Sequence, residues 1–139
     1  MKRYAILALA LVAGVAQAAQ TDKMTMGLHG FTYHSPNIDC GNGKNPGLYL
    51  NDGKTGLTAG FYHNSCQRQS EYIGWVTPNV YGLGLMIAGV TGYVKPVTFM
   101  AAPTFELNTS RFVKDSSVRI TGGSWQNMDV YHVSIERRF

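Results

Sequence analysis

The sequence predicts an all-β fold, an eight-stranded antiparallel up-and-down transmembrane β-barrel, and three observations lead to this prediction. Apolar residues recur at every second position beyond Gln20, as they do in strands that separate two environments. Clusters of Gly, Pro or Asn interrupt this alternation and mark the turns. The chain also begins with an export signal, which indicates an oxidising compartment of the cell envelope.

The export signal lies at the start of the chain. Two basic residues precede an apolar run over residues 4–15 that ends in Ala16-Gln17-Ala18, the pattern of a cleavable secretory signal peptide. The run is shorter than the ~20 apolar residues that a membrane-spanning helix needs. We therefore interpret residues 1–18 as a cleaved signal peptide and residues 19–139 as one barrel domain in the bacterial outer membrane.

The composition excludes one class of partner and predicts one covalent bond. Charged residues make up only 14% of the chain, and the formal net charge of +4 becomes only mildly basic once Lys2 and Arg3 are removed. No segment interleaves basic and aromatic side chains as a nucleic-acid groove requires, so we exclude nucleic acid as a partner. Cys40 and Cys66 are expected to form a disulfide, with two buried thiols as the alternative.

Eight segments carry the strand alternation. We place strands near residues 24–34, 46–52, 55–65, 70–78, 82–92, 97–107, 111–121 and 128–139. The sixth segment is the clearest because one of its faces is apolar throughout: Val97, Phe99, Ala101, Pro103, Phe105 and Leu107. The last segment has a polar face that we expect to point into a lumen: His132, Ser134, Glu136 and Arg138.

A sheet that lies in a membrane is expected to close into a barrel. Lipid offers no hydrogen-bond partners to a strand edge, so strands that face lipid must close into a barrel. The residues after the signal peptide accommodate eight strands but no larger barrel. A water-soluble periplasmic β-sandwich or lipocalin-like barrel would alternate in the same way and is the alternative. The terminal Phe139 resembles the assembly signal of outer-membrane barrels, although Arg137 stands where that signal carries an apolar residue.

Polar side chains gather at the ends of the first and third predicted strands. With both termini in the periplasm, four connections are expected outside the cell: 35–45, 66–69, 93–96 and 122–127. Their rim then carries His34, His63, Asn64 and Ser65. A serine nucleophile needs a base for its proton, and histidine suits that task near neutral pH. His34 and Ser65 are therefore a candidate base–nucleophile pair, with ordinary solvated loop residues as the alternative.

Two further histidines are assigned to the strands. His29 lies five residues before His34, so strand alternation predicts that the two side chains face opposite sides of the sheet. His132 lies among Ser134 and Glu136, where filling the interior of a narrow barrel is the expected role and a His/Ser/Glu site is the alternative. Because the histidines are scattered and the cysteines are expected to pair, we predict neither a metal ion nor a cofactor.

Two groups of motifs resemble a known family. One group is Gly82-Leu83-Gly84-Leu85, Ala88-Gly89-Val90-Thr91 and Pro96-Val97, and the other is Gly60-Phe61-Tyr62-His63-Asn64-Ser65 with Tyr72-Ile73-Gly74-Trp75. The first resembles the late strands, and the second resembles the catalytic Asp-Ser segment, of PagP-like outer-membrane lipid A palmitoyltransferases. The resemblance implies an eight-stranded barrel whose lumen holds an acyl chain. Its rim His, Asp and Ser residues would support transfer of that chain from phospholipid to lipid A.

The resemblance assigns candidate site residues one by one. Ser65 corresponds to the family serine, and Asn64 stands where the family has aspartate. The family histidine corresponds to His34 by rim position or to His29 by its spacing to the following Asn-rich loop. The amphipathic helix that precedes the family's first strand has no counterpart in this sequence. Asn64-Ser65 and the segment Asn45-Pro46-Gly47-Leu48-Tyr49 are also similar to small exported barrel-like proteins of bacteria and phages.

These observations leave three hypotheses about function. The first is a PagP-like acyltransferase acting on lipid A, with His34, Asn64 and Ser65 as candidate catalytic residues. Its partners would be outer-membrane lipids, lipid A and phospholipid, and we expect a monomer. The second is a non-enzymatic surface barrel whose disulfide-pinned loops bind or mask an envelope partner, for example in phage exclusion or envelope protection. A soluble periplasmic binding module is the third.

Overall fold

The computed structural model describes residues 22–35, 42–125 and 128–139, and these form a closed barrel. Its strands, in chain order, are β1 (Met24–Ser35), β2 (Lys44–Asp52), β3 (Leu57–His63), β4 (Gln69–Val76), β5 (Leu83–Val90), β6 (Thr98–Asn108), β7 (Ser116–Trp125) and β8 (Met128–Arg138). Each strand is antiparallel to its sequence neighbours, and β8 pairs with β1. The prediction of an all-β, eight-stranded antiparallel barrel is therefore confirmed, and the sandwich alternative is wrong because a single sheet closes on itself. The described part of the chain contains no helix that is long and apolar enough to span a membrane.

Strand β7 differs most from its predicted position. The alternation predicted a strand over residues 111–121, whereas β7 begins at Ser116. Phe112 and Val113 have the apolar character of strand residues, but both backbone N–H groups donate to the carbonyl oxygen of Thr109, at 2.9 and 3.1 Å. These bonds close a turn, so the strand starts later than its composition suggests.

The two ends of the barrel carry different connections. The termini end holds the start of β1, the end of β8 and the turns 53–56, 77–82 and 109–115. The opposite end, which we call the rim end, holds the connections 64–68 and 91–97. The other two rim connections lie partly or wholly outside the described residues, as do Cys40 and the predicted signal peptide at residues 1–18.

A β-bulge in β1 changes which side chains face the lumen. Opposite β8, His29 pairs with Ser134 and Phe31 with Val133, so Gly30 is an extra residue in β1. Gly30 and Phe31 are both exposed, whereas His29 and His34 both line the lumen. The prediction that these two histidines face opposite sides of the sheet is therefore wrong, because strict alternation does not hold across a bulge.

The outer surface of the barrel is apolar over most of its strands. Ile73, at mid-strand in β4, has 61% of its surface exposed. Large apolar side chains are exposed on the outer face around the barrel: Leu28, Phe31, Leu48, Phe61, Ile73, Trp75, Leu83, Ile87, Phe99, Phe105, Tyr131 and Ile135. We call this surface the apolar belt. It includes the face of β6 that the sequence predicted to be apolar.

A charged network lies in the lumen on the termini side of the barrel. Arg119 Nε lies 2.5 Å from Glu136 Oε1, and Arg119 Nη2 lies 3.2 Å from Glu106 Oε2. Arg138 also contacts Glu106, and the Tyr49 hydroxyl donates to Glu136 at 2.5 Å. The two arginines and two glutamates balance in charge, which offsets the cost of their burial. The polar face predicted for the last strand therefore lies inside the barrel.

The seam between β6 and β7 is paired over only part of its length. Backbone pairing runs from Asn108↔Ser117 to Thr104↔Thr121. Toward the rim end, among the described residues, 100–103 of β6 have no pairing partner in 122–125 of β7, although each stretch pairs with the strand on its other side. Pro103 lies in this stretch and has no N–H to donate. Among the described residues, the two strands are therefore not joined by backbone pairing along this segment.

The charged network yields a stability prediction. Glu136→Ala should lower the free energy of unfolding by about 3–5 kcal/mol, because Arg119 and the Tyr49 hydroxyl lose their partner in a buried setting. Urea unfolding of the refolded barrel in detergent micelles measures this loss. Arg137→Ala, at the exposed neighbouring position, is the matched control and should change stability by less than about 0.5 kcal/mol. Equal effects of the two substitutions would contradict the role given to the network.

Candidate functional site

The structure brings His34 and Ser65 together at the rim end. His34 lies near the end of β1, and Ser65 lies in the connection that follows β3. Ser65 Oγ is 3.2 Å from His34 Nε2, and both side chains are half-buried. The separation is within the range of an apo base–nucleophile pair, in which the hydrogen bond is often longer than in a substrate complex. His34 Nδ1 is buried and has no hydrogen-bond partner among the described residues.

Asn45 is the third polar side chain of this site. It lies near the start of β2 and is only 1% exposed. Its Nδ2 donates to the backbone carbonyl of His63 at 2.9 Å and to Ser65 Oγ at 3.4 Å. Ser65 Oγ therefore lies between an amide donor on one side and an imidazole nitrogen on the other.

Asn64 organises the connection that carries Ser65. Its side chain is fully buried, and Oδ1 accepts the backbone N–H groups of Cys66 and Arg68 at 2.9 and 3.1 Å. Its Nδ2 donates to Ser70 Oγ and to the carbonyl oxygen of Gly92, both at 2.9 Å. Two of these bonds lie within the connection 64–68, one reaches β4, and the bond to Gly92 joins the connections 64–68 and 91–97. The carbonyl of Gly92 only accepts, so this position requires an amide donor, which explains physically why asparagine stands here instead of aspartate.

A cavity with a mostly apolar wall lies below the pair and continues through the lumen as far as Arg119 and Glu136. Its volume is about 130 Å³ and its wall includes Met86, Ala88, Val90, Met100, Ala102 and Val130. Tyr93 reaches into it from the connection 91–97, and its hydroxyl lies 2.9 Å from that of Tyr62. Burial raises the pKa of Tyr93, so its hydroxyl stays protonated. An engineered apolar cavity of ~150 Å³ binds benzene, so the cavity has room for a hydrocarbon group of about six carbons.

A chain of hydrogen bonds crosses the middle of the lumen, and its histidines line this cavity. His29 Nδ1 lies 2.7 Å from His132 Nε2. His29 Nε2 lies 3.0 Å from Tyr72 OH, and His132 Nδ1 lies 2.8 Å from Thr32 Oγ1. All four ring nitrogens therefore have partners within the chain. Of the two histidines that the family resemblance left open, His34 lies beside Ser65 and His29 belongs to this hydrogen-bonded chain.

The remaining predicted site residues are placed as follows. His63 supplies its backbone carbonyl to Asn45, and no group of three or more His, Cys, Asp or Glu side chains in the described residues is placed to hold a metal ion. Cys66 follows Ser65 in the rim connection. Its predicted disulfide partner, Cys40, lies outside the described residues, so the pairing stays a prediction.

Sequence reasoning missed Asn45 and assigned Asn64 a different task. Asn45 carried one usable signal, since alternation with the inward-facing Tyr49 places it inward at the rim. The partners of Asn64 gave no such signal, because Gly92 is far from it in the sequence and Ser70 lies across a turn.

The chain was compared with models of protein families and with curated proteins, and it matches none of them.

The bonding of Asn64 yields a prediction about the rim. Asn64→Asp should lower the free energy of unfolding by about 1–3 kcal/mol, because a carboxylate would face the Gly92 carbonyl without a proton between them. It should also make the connection 64–68 more sensitive to limited proteolysis. Asn108→Asp is the matched control, since Asn108 only accepts, from the N–H of Ser110 at 2.9 Å, and aspartate keeps that bond. If both variants lose the same stability, the donor role of Asn64 is wrong.

Proposed function

We propose that this barrel resides in the bacterial outer membrane, with the apolar belt in contact with lipid. The support is the inverted distribution of side chains. The largest fully buried side chains are all polar, led by Glu136, while large apolar side chains such as Ile73 and Phe99 face outward. A water-soluble barrel would gain by the opposite arrangement, because exposed apolar area is unfavourable in water and favourable in hydrocarbon.

A charge placed on the apolar belt tests the membrane proposal. Ile73→Arg should lower the free energy of unfolding in lipid vesicles by about 2–4 kcal/mol, the cost of an arginine near the bilayer midplane. Val113→Arg, at the exposed turn of the termini end, is the matched control and should cost at most about 1 kcal/mol. A protein that stays folded and monomeric without detergent, and tolerates Ile73→Arg, would instead be a soluble periplasmic barrel.

We further propose that the rim site transfers an acyl chain from phospholipid to lipid A. The observation that carries this proposal is the 3.2 Å contact between Ser65 Oγ and His34 Nε2 at the mouth of an apolar cavity. Ser65 Oγ would attack the ester carbonyl carbon of a phospholipid while His34 accepts the hydroxyl proton. The bond to the glycerol oxygen breaks, and that oxygen takes the proton from His34. A lipid A hydroxyl then attacks the acyl-serine, passing its proton through His34 back to Ser65.

The cavity and the β6–β7 seam support a lipid substrate. Met100 and Ala102 belong both to the apolar wall of the cavity and to the stretch of β6 that lacks pairing with β7. Lipid-exposed backbone without partners is costly, so such a stretch is expected where it serves access. An acyl chain entering from the bilayer would meet apolar side chains on both sides of this seam. The cavity volume suits a segment of about six carbons and not a whole long chain.

Lipid A analysis tests the enzymatic proposal. The gene is expressed in a Gram-negative host from which the resident lipid A palmitoyltransferase has been deleted, and lipid A is analysed by mass spectrometry. Wild-type protein should add the mass of one acyl chain. Ser65→Ala and His34→Ala should each reduce this product by at least about 100-fold, because the nucleophile or its base is lost. His63→Ala, at a neighbouring rim histidine that contributes only its backbone to the site, should retain the product.

An unchanged lipid A pattern with wild-type protein would remove the enzymatic proposal. The alternative would then be a non-enzymatic surface barrel, which is favoured by the rigid rim that Asn64 builds between two connections. Under that alternative, Ser65→Ala and His34→Ala leave envelope protection intact and Cys66→Ala impairs it.

A further inference from the structure

The orientation of the Asn45 amide is determined by its surroundings. One end of the amide lies 2.9 Å from the backbone carbonyl oxygen of His63, which only accepts hydrogen bonds. That end must therefore be the nitrogen, and the amide has no freedom to exchange its two ends. The second N–H of the same nitrogen then points to Ser65 Oγ at 3.4 Å.

This donation narrows the directions open to the Ser65 hydroxyl proton. A hydroxyl has one proton to donate and two lone pairs that accept. Because Asn45 occupies one lone pair of Ser65 Oγ, the hydroxyl keeps its proton and one lone pair for its other neighbour, His34 Nε2, at 3.2 Å. In the His34 tautomer that carries its proton on Nδ1, Nε2 accepts the Ser65 proton, which is the form that a general base requires.

The Asn45 carbonyl oxygen indicates that donation is the task of this side chain. Oδ1 is buried and has no hydrogen-bond partner among the described residues, so within them the amide acts only as a donor. A side chain that is 1% exposed and uses only its donors, one of them on a candidate nucleophile, differs from a side chain that merely joins two strands.

We propose that Asn45 is the positioning residue of the rim site, and that it directs the Ser65 proton to His34; this inference rests on the acyl-transfer function proposed above. As the proton moves from Ser65 Oγ to His34 Nε2, the Asn45 N–H stabilises the negative charge that develops on Oγ. Oγ then forms its bond to the acyl carbon, and the leaving glycerol oxygen takes the proton from His34. Asn45 itself gains and loses no atoms.

The test measures the reactivity of Ser65 directly, without lipid A. The full-length mature barrel is refolded in detergent and treated with a short-chain alkyl fluorophosphonate, and labelling of Ser65 is followed by intact-mass spectrometry. Wild-type protein should be labelled and Ser65→Ala should not. Asn45→Leu and Asn45→Asp should each lower the maximal labelling rate by at least about tenfold. The probe concentration for half-maximal rate should stay within about twofold, because the apolar cavity is unchanged.

Each outcome bears on one of the two proposals. If wild-type Ser65 is not labelled, the acyl-transfer function fails and the role of Asn45 fails with it. If the Asn45 variants form the barrel, as judged by heat-modifiable electrophoretic mobility, and are labelled at the wild-type rate, only the role of Asn45 is overturned.

A measurement on folded protein covers the case in which both Asn45 variants fail to form the barrel. The side-chain amide NMR signals of Asn45 are compared between wild type and Ser65→Ala in micelles. A shift of the Asn45 amide protons, with those of the distant Asn108 unchanged, is the expected result. Unshifted Asn45 signals would overturn the inference, because Ser65 would then not accept its N–H.

Discussion

Pairing between the first and last strands is the constraint on which the rest of this structure depends. It extends from Thr25↔Arg138 to Ser35↔Asp129 and leaves the sheet without a free edge. Once the sheet is closed, every inward side chain shares one narrow lumen and every outward side chain faces the surroundings. Charged groups inside must then find partners inside, as Arg119 does with Glu106 and Glu136. The polar interior and the apolar belt are two results of the same closure.

The architecture could be predicted because its signal is local. Alternation with a period of two is visible within single strands, and β6 and β8 show it over most of their length. The same locality explains the error at β7. Phe112 and Val113 are as apolar as strand residues, but a turn closed by Thr109 and Ser116 holds them outside the sheet. Whether an apolar residue belongs to a strand or to a turn is decided by hydrogen bonds that alternation does not encode.

The candidate site could be predicted only in part, because most of it depends on contacts between distant segments. His34 and Ser65 were predicted together since both end strands at the same side of the barrel. The donor role of Asn45 required the position of the His63 carbonyl, and the role of Asn64 required that of Gly92. Neither position follows from strand order alone. Register across neighbouring strands therefore contributes as much to the site as the identities of its side chains.

The extra residue at Gly30 lets one strand serve two regions of the lumen. With its five-residue spacing, a strand of strict alternation that turned His29 inward would turn His34 to the outer surface, and Ser65 would have no imidazole beside it. With the sequence that β1 has, the pair therefore depends on the bulge, which leaves Gly30 and Phe31 together on the outer side and so returns His34 to the lumen. One irregular backbone step, at a glycine with no side chain of its own, thus decides which reactive groups can meet at this rim.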